Sequence, residues 1–181
     1  MSSRVARPEK DTLTPEAQAI WDFIAAPRST SMGGPYSILM HTPALAKQVA
    51  EVEDYFRLNA ALSAADREVV VLAAVREMGA RYAWARHEVR GRQVGVRPEA
   101  IEILRAQGGP EGLTPRERLL VEVAHTLVRT RALPDELYAR ALAELGQQQL
   151  IEVVALVGHY GLVGLVLNAF TVPPPDGTET F

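Results

Sequence analysis

Residues 62–95, LSAADREVVVLAAVREMGARYAWARHEVRGRQVG, decide the fold. Ser63 is a helix-start residue whose hydroxyl can accept from an orphan amide. Behind it Val71, Leu72, Val75 and Met78 recur at the three- and four-residue spacing of one helical face. Gly79 falls where a left-handed C-terminal residue is expected, and a second helical stretch runs from there to Gly95. Two helices, 63–79 and 80–94, joined by one tight turn are the reading.

The same punctuation repeats outward in both directions. Leu13-Thr14-Pro15-Glu16, Thr42-Pro43, Leu113-Thr114-Pro115 and Leu133-Pro134-Asp135-Glu136 all read as helix starts, most with proline at the first helical position. Gly108 and Gly146 sit at expected ends. The predicted helices are 14–26, 42–60, 63–79, 80–94, 98–107, 114–131, 134–145 and 147–170. No alternating apolar run with a hairpin turn occurs, so the fold class is all-α: a helical bundle of seven or eight helices. A single domain over 1–181 is expected, with irregular ends at 1–13 and 171–181. The segment 27–35, PRSTSMGGP, reads as the long irregular loop, able to cover a site.

Composition narrows the function classes. The chain has 181 residues, 48% apolar and 23% charged, enough for a sizeable core and too apolar for disorder. A net charge of −3 gives no general basic surface for nucleic acid. The absence of cysteine removes thiol nucleophiles, disulfides and Cys-ligated metals together. The N-terminal stretch lacks the apolar core of a secretory signal, so a cytoplasmic location is expected. Residues 150–170 are apolar over a span-length stretch, but Glu152, His159 and Asn168 lie inside it. Such groups are expensive in lipid, and a helix buried in the fold or at a subunit contact accounts for the stretch better. Gly158, Gly161 and Gly164 within it suit close helix packing.

Four histidines and one glutamate carry the chemical possibilities. His125 shares a face with Arg118, Glu122 and Arg129 and reads as part of a solvated, salt-bridged surface. His41, before Thr42-Pro43, reads as a turn residue. His159 reads as a core or interface imidazole on the same face as Glu152. His87 stands with Ala80, Ala83, Trp84 and Gly91 on a face of mostly small residues, where an imidazole can move protons near neutral pH. Arg76, Arg81, Arg86, Arg90 and Arg92 crowd the same region and favour an anionic ligand. Glu68 falls on the inward stripe with Val71, Leu72 and Val75, where desolvation is expected to raise its pKa towards a working acid or base. The competing readings are an arginine-rich surface helix with a half-buried histidine, and a Glu68 placed near its helix start for the dipole. No glycine-rich phosphate loop, nucleophile elbow or HExxH pair is present. No local spacing supplies metal ligands, though distant groups such as His41, His87 and Glu68 could converge.

An ordered set of short pieces gives a resemblance. His41-Thr42-Pro43-Ala44-Leu45 is followed by Leu62-Ser63-Ala64-Ala65-Asp66-Arg67-Glu68, then Tyr82-Ala83-Trp84-Ala85-Arg86-His87 with Gly95-Val96. Last come Leu156-Val157-Gly158-His159-Tyr160 and Leu167-Asn168-Ala169-Phe170. In this order they resemble the carboxymuconolactone decarboxylase family, in the all-helical superfamily that also holds the alkylhydroperoxidase D proteins. The redox branch carries a CxxC ahead of its motif histidine and a glutamate on the preceding helix. The histidine corresponds to His87, the glutamate to Glu68, and the two cysteine positions to Ala80 and Ala83. Alanine is neither thiolate nor resolving partner, so the resemblance implies the fold and the His87–Glu68 neighbourhood but not thiol peroxidase chemistry.

The remaining branch implies a cofactor-independent lyase that decarboxylates a small anionic lactone from aromatic breakdown. The resemblance makes His87 the proton donor or relay and Glu68 its orienting group. Local electrostatics add Arg81 and Arg86 for the substrate's carboxylates and Trp84 as a pocket wall, and Tyr82, His41 and His159 complete the substrate-binding set. No metal or other cofactor is expected, and no nucleic-acid or membrane partner. The apolar 150–170 helix and the family's habits both imply self-association as a trimer or hexamer. The alternatives are a non-catalytic ligand-binding or assembly protein, and an isomerase or hydrolase using the same two groups.

Overall fold

Ser63 and Gly79 bracket the helix around which the others are arranged. In the computed structural model, which describes residues 2–26, 32–178 and 180–181, the Ser63 hydroxyl accepts from the Asp66 amide at 3.1 Å, and Gly79 turns left-handed at φ +68°. Between them α4 (Ala64–Glu77) buries every residue from Glu68 to Val75. A helix buried on all sides needs neighbours on all sides. They are α5 (Arg81–Gln93), α6 (Pro98–Ala106), α7 (Pro115–Thr130) and α8 (Asp135–Ala169), each packed against α4. Outside this shell α1 (Pro15–Ala25) and the short α2 (Tyr36–Leu39) pack on α3 (Pro43–Leu58), which in turn meets α8. Among the described residues there is no strand, and the fold is the all-α bundle expected.

The capping chemistry explains the boundaries. Thr114 and Glu117 form a reciprocal capping box at α7, and Thr14 accepts from the Ala17 amide at α1. Proline occupies the first turn of α1, α3, α6 and α7. Thr42 differs: its hydroxyl donates back to the Leu39 carbonyl and caps nothing ahead of it. At the end of α6 it is Gln107 that turns left-handed, not Gly108. The predicted helices 134–145 and 147–170 are the two arms of α8, separated by Gly146 at φ 71°, ψ 167°. Lys10–Thr12 form a 3-10 turn inside the N-terminal segment expected to be irregular. Residues 27–31 of the predicted loop lie outside the described residues, and α2, which the spacing did not signal, follows it.

The apolar α8 is a core helix. It is long and apolar enough to cross a membrane, but more than half of its apolar window is buried inside the protein. Leu150, Val153, Leu156, Val157, Tyr160, Val163 and Leu167 face inward. Of the three glycines, Gly164 is the one at a close approach: a Cβ there would stand 3.3 Å from the Met78 sulfur. The Asn168 amide then donates to the Met78 carbonyl at 3.0 Å, so the end of α8 closes the end of α4.

Candidate functional site

The turn at Gly79 sets α5 antiparallel beside α4, and the two inward-facing polar residues meet. His87 Nδ1 lies 2.6 Å from Glu68 Oε2, with both side chains almost wholly buried. Arg67 stands 3.5 Å from the other carboxylate oxygen. Burial alone pushes the Glu68 carboxyl up, but the His87 imidazole, its hydrogen bond, and Arg67 and Arg90 together hold it below its ordinary value. The expected rise in its pKa is therefore reversed. A carboxylate that stays ionised can only accept, so His87 Nδ1–H donates to it. Among the described residues Nε2 has no protein partner, and the ring lines a cavity.

That cavity measures about 790 Å³ and opens to solvent between α3, α5, α8 and the two terminal segments. Helical geometry decides which α5 residues reach it. Ala83, Arg86 and Arg90 lie on one side of His87 around the helix, and all line the cavity together with Tyr82. Trp84 and Arg81 lie on the other side. The Trp84 ring is fully buried towards α6, donating from Nε1 to Glu88 at 3.1 Å and meeting Phe181 edge-on at 5.6 Å. Arg81 is exposed and sits 6.0 Å from the same Phe181 ring. Neither walls the cavity, contrary to expectation, because Trp84 lies about a sixth of a turn and Arg81 about a third of a turn round the helix from His87, on the side turned away from the cavity.

His159 and Tyr160 enter the cavity from α8, and Tyr36 and Glu53 from α2 and α3. Burial lowers the His159 pKa, Glu53 raises it, and His87 lowers it further, with a net downward shift. The Tyr36 hydroxyl donates to Glu53 at 2.7 Å. Sequence reasoning missed Glu53 although the signal was there. It falls on the α3 stripe of Ala46, Val49, Ala50 and Phe56, a carboxylate on a buried face just as Glu68 is. Tyr82 is seated by Gly34, at φ +60°, where a Cβ would stand 2.5 Å from the ring. Any side chain there would displace the ring.

His41 does not reach the cavity. Its Nε2 donates to the Ala6 carbonyl at 2.9 Å, holding the N-terminal segment whose Ser3, Val5 and Arg7 form part of the cavity wall. His41, His87 and Glu68 therefore do not converge, and among the described residues no cluster of three or more potential metal ligands occurs. His125 is not on a solvated surface either. It is half-buried, its Nε2 is buried with no partner, and burial lowers its pKa against the pull of Glu77. Arg129 is near it, as expected, and is paired with Glu77, at 2.7 and 2.8 Å.

The family model of the carboxymuconolactone decarboxylase family matches residues 43–126. That stretch runs from the start of α3 into α7 and contains both members of the buried pair. Residues 43–126 belong to the carboxymuconolactone decarboxylase family. No curated protein sequence matches the chain. The cysteine positions of the family's redox branch are occupied by Ala80 and Ala83, both buried, and the chain has no cysteine anywhere. Peroxide consumption coupled to a dithiol reductant should therefore stay at the level of heat-killed protein. A rate above that background in a coupled peroxidase assay would contradict this.

Proposed function

We propose that this carboxymuconolactone decarboxylase family protein is a cofactor-independent carbon–carbon lyase of the cytoplasm that decarboxylates a small anionic lactone. The observation that carries the reading is the buried Glu68–His87 pair at 2.6 Å on the wall of a cavity rimmed by arginine. The exposed Arg86 and the half-buried Arg90, with Arg7 from the N-terminal segment, favour an anion there. Tyr82 supplies a flat wall.

The chemistry needs little more. The bond between the ring carbon and its carboxylate breaks, carbon dioxide leaves, and the electron pair passes into the lactone carbonyl as an enolate. The substrate is its own electron sink. His87, protonated on both nitrogens, gives its Nε2 proton to the carbon while Nδ1–H stays on Glu68. Glu68 keeps the ring in this orientation and balances its charge. Turnover of carboxylated unsaturated lactones, followed by ring absorbance and carbon dioxide release, tests the reading. Tight binding of such lactones without release would make the protein a ligand-binding member instead.

The chain is also proposed to self-associate, as a trimer or hexamer. One face of α8 leaves Ile151 58% and Leu165 72% exposed, with Val154 and Leu162 between them, and Leu58 on the adjoining α3 is 73% exposed. Such an apolar face is unusual on a monomer. Light scattering should return a multiple of the 19.8 kDa chain, and Leu165→Glu should lower it. A mass of one chain for the unmodified protein at micromolar concentration would refute the proposal.

A further inference from the structure

Delivering one proton needs one imidazole, yet two face this cavity. His87 comes from α5 and His159 from α8, and the Tyr160 ring stands edge-on to both, 4.8 Å from the first and 5.2 Å from the second. They are held in opposite ways. His87 is tethered through Nδ1 to an ionised carboxylate. Neither His159 nitrogen has a hydrogen-bond partner among the described residues, and the ring is backed by Phe56 at 6.0 Å. Burial keeps His159 neutral near pH 7, with a lone pair free to accept a proton. Two imidazoles in one cavity, one tethered to a carboxylate and one with its ring nitrogens unpartnered among the described residues, mark out an acid and a base. The wall beside them is Tyr160, Val163 and Leu167, which suits a carbon skeleton better than a water nucleophile.

We propose that the cavity also catalyses allylic proton transfer in an unsaturated carbonyl compound bearing an anionic group, with His159 as base and His87 as acid. The choice of an anionic, lactone-like substrate rests on the lyase reading; the two-imidazole geometry does not. His159 takes the proton from the carbon next to the carbonyl, so that a C–H bond breaks and an N–H bond forms. The substrate's double bond lies one carbon further out (β,γ to the carbonyl), so the electron pair spreads into the carbonyl and that double bond as a dienolate. His87 then gives its Nε2 proton to the far end of that system, forming a C–H bond and shifting the double bond by one position. Glu53, on the same wall, favours the His159 imidazolium that this creates. Proton exchange with water restores both rings, and no oxidant or reductant is needed.

The test uses an unsaturated five-membered lactone with a carboxymethyl side chain and no ring carboxylate, which cannot lose carbon dioxide from the ring. Incubated with the protein in deuterated water and followed by NMR, it should gain deuterium at ring carbons and move towards the equilibrium mixture of double-bond isomers. His159→Gln and His87→Gln, each shown to be folded by circular dichroism, should slow this by about 10²–10⁴-fold. Unmodified protein that incorporates no deuterium above a heat-killed control overturns the proposal, whatever the variants do. A folded His159→Gln that exchanges at the unmodified rate also overturns it. The two readings fail separately: carbon dioxide release from carboxylated lactones without exchange here removes the isomerase and leaves the lyase. Exchange without any such release removes the lyase and leaves the isomerase.

Discussion

Replacing His87 with alanine should lower decarboxylation by about 10²–10⁴-fold, the range for losing a positioned acid–base group. The structure makes the companion changes informative. Glu68 reaches the substrate only through His87, since its Oε2 accepts from Nδ1 at 2.6 Å and the cavity lies beyond the ring. Glu68→Gln should therefore lose much of the same factor, because the amide can neither balance the imidazolium nor fix the ring as firmly. The double variant should be little worse than His87→Ala alone, as expected of groups acting as a unit. Loss of His87 leaves Glu68 buried with Arg67 at 3.5 Å as its near partner, so thermal unfolding has to accompany the kinetics. A Glu68→Gln protein that is fully stable yet slow supports a catalytic pair. Folded single variants with full turnover would move the chemistry elsewhere in the cavity, to His159 first.

Local signals carried the fold, and they carried the central pair for the same reason. Capping and spacing around Ser63 and Gly79 are properties of adjacent residues, so the α4–α5 hairpin could be read directly, and with it the facing of Glu68 and His87. What failed was finer than a helical face. A stripe that includes Ala80, Ala83, Trp84, His87 and Gly91 is wide, and His87 stands at its boundary. Residues on one side of it open to the cavity, while Trp84 on the other is buried. Composition could not show which side was which, because that depends on where α8 and the termini come to lie. The same holds for the cavity's outer wall. Residues 2–7 are held there by the Arg4 amide on the Phe170 carbonyl at 2.9 Å and by His41 on Ala6, contacts spanning most of the chain or a long loop. The direction of the Glu68 shift was missed because desolvation can be judged from a stripe, whereas the opposing charges of His87, Arg67 and Arg90 require three-dimensional placement.

Removing the Glu152 side chain should destabilise the protein by roughly 3–5 kcal/mol, because several hydrogen bonds to a charged carboxylate are lost together and buried donors are left unpaired. Glu152 is 3% exposed in the middle of the apolar α8. Its Oε1 accepts from the Tyr55 hydroxyl at 2.9 Å, the Ala61 amide at 3.0 Å and Gln148 at 3.2 Å, and its Oε2 from the Leu62 amide at 3.0 Å. One carboxylate thus holds the chain between α3 and α4 immediately ahead of the Ser63 cap. Alanine would leave the Ala61 and Leu62 donors facing a hole with no acceptor, which costs more than the bonds themselves contribute. Glutamine would do little better, since its NH₂ end would confront one of the same donors. For a chain of this length the expected loss corresponds to a fall in Tm on the order of 10 °C at fixed protein concentration. The pH dependence has a definite sign. Burial pushes the Glu152 carboxyl up, but the Ala61 amide, the Tyr55 hydroxyl, the Leu62 amide and Gln148 outweigh it and hold the folded value below the ordinary one. Its stabilisation is therefore complete above the ordinary carboxylate range and is lost as pH falls through the lowered folded value. Urea midpoints measured from neutral pH down to about pH 3 should converge for Glu152→Ala and the unmodified protein, the gap being widest at neutral pH. Equal midpoints at neutral pH would mean that the carboxylate holds the α3–α4 junction in place without stabilising it.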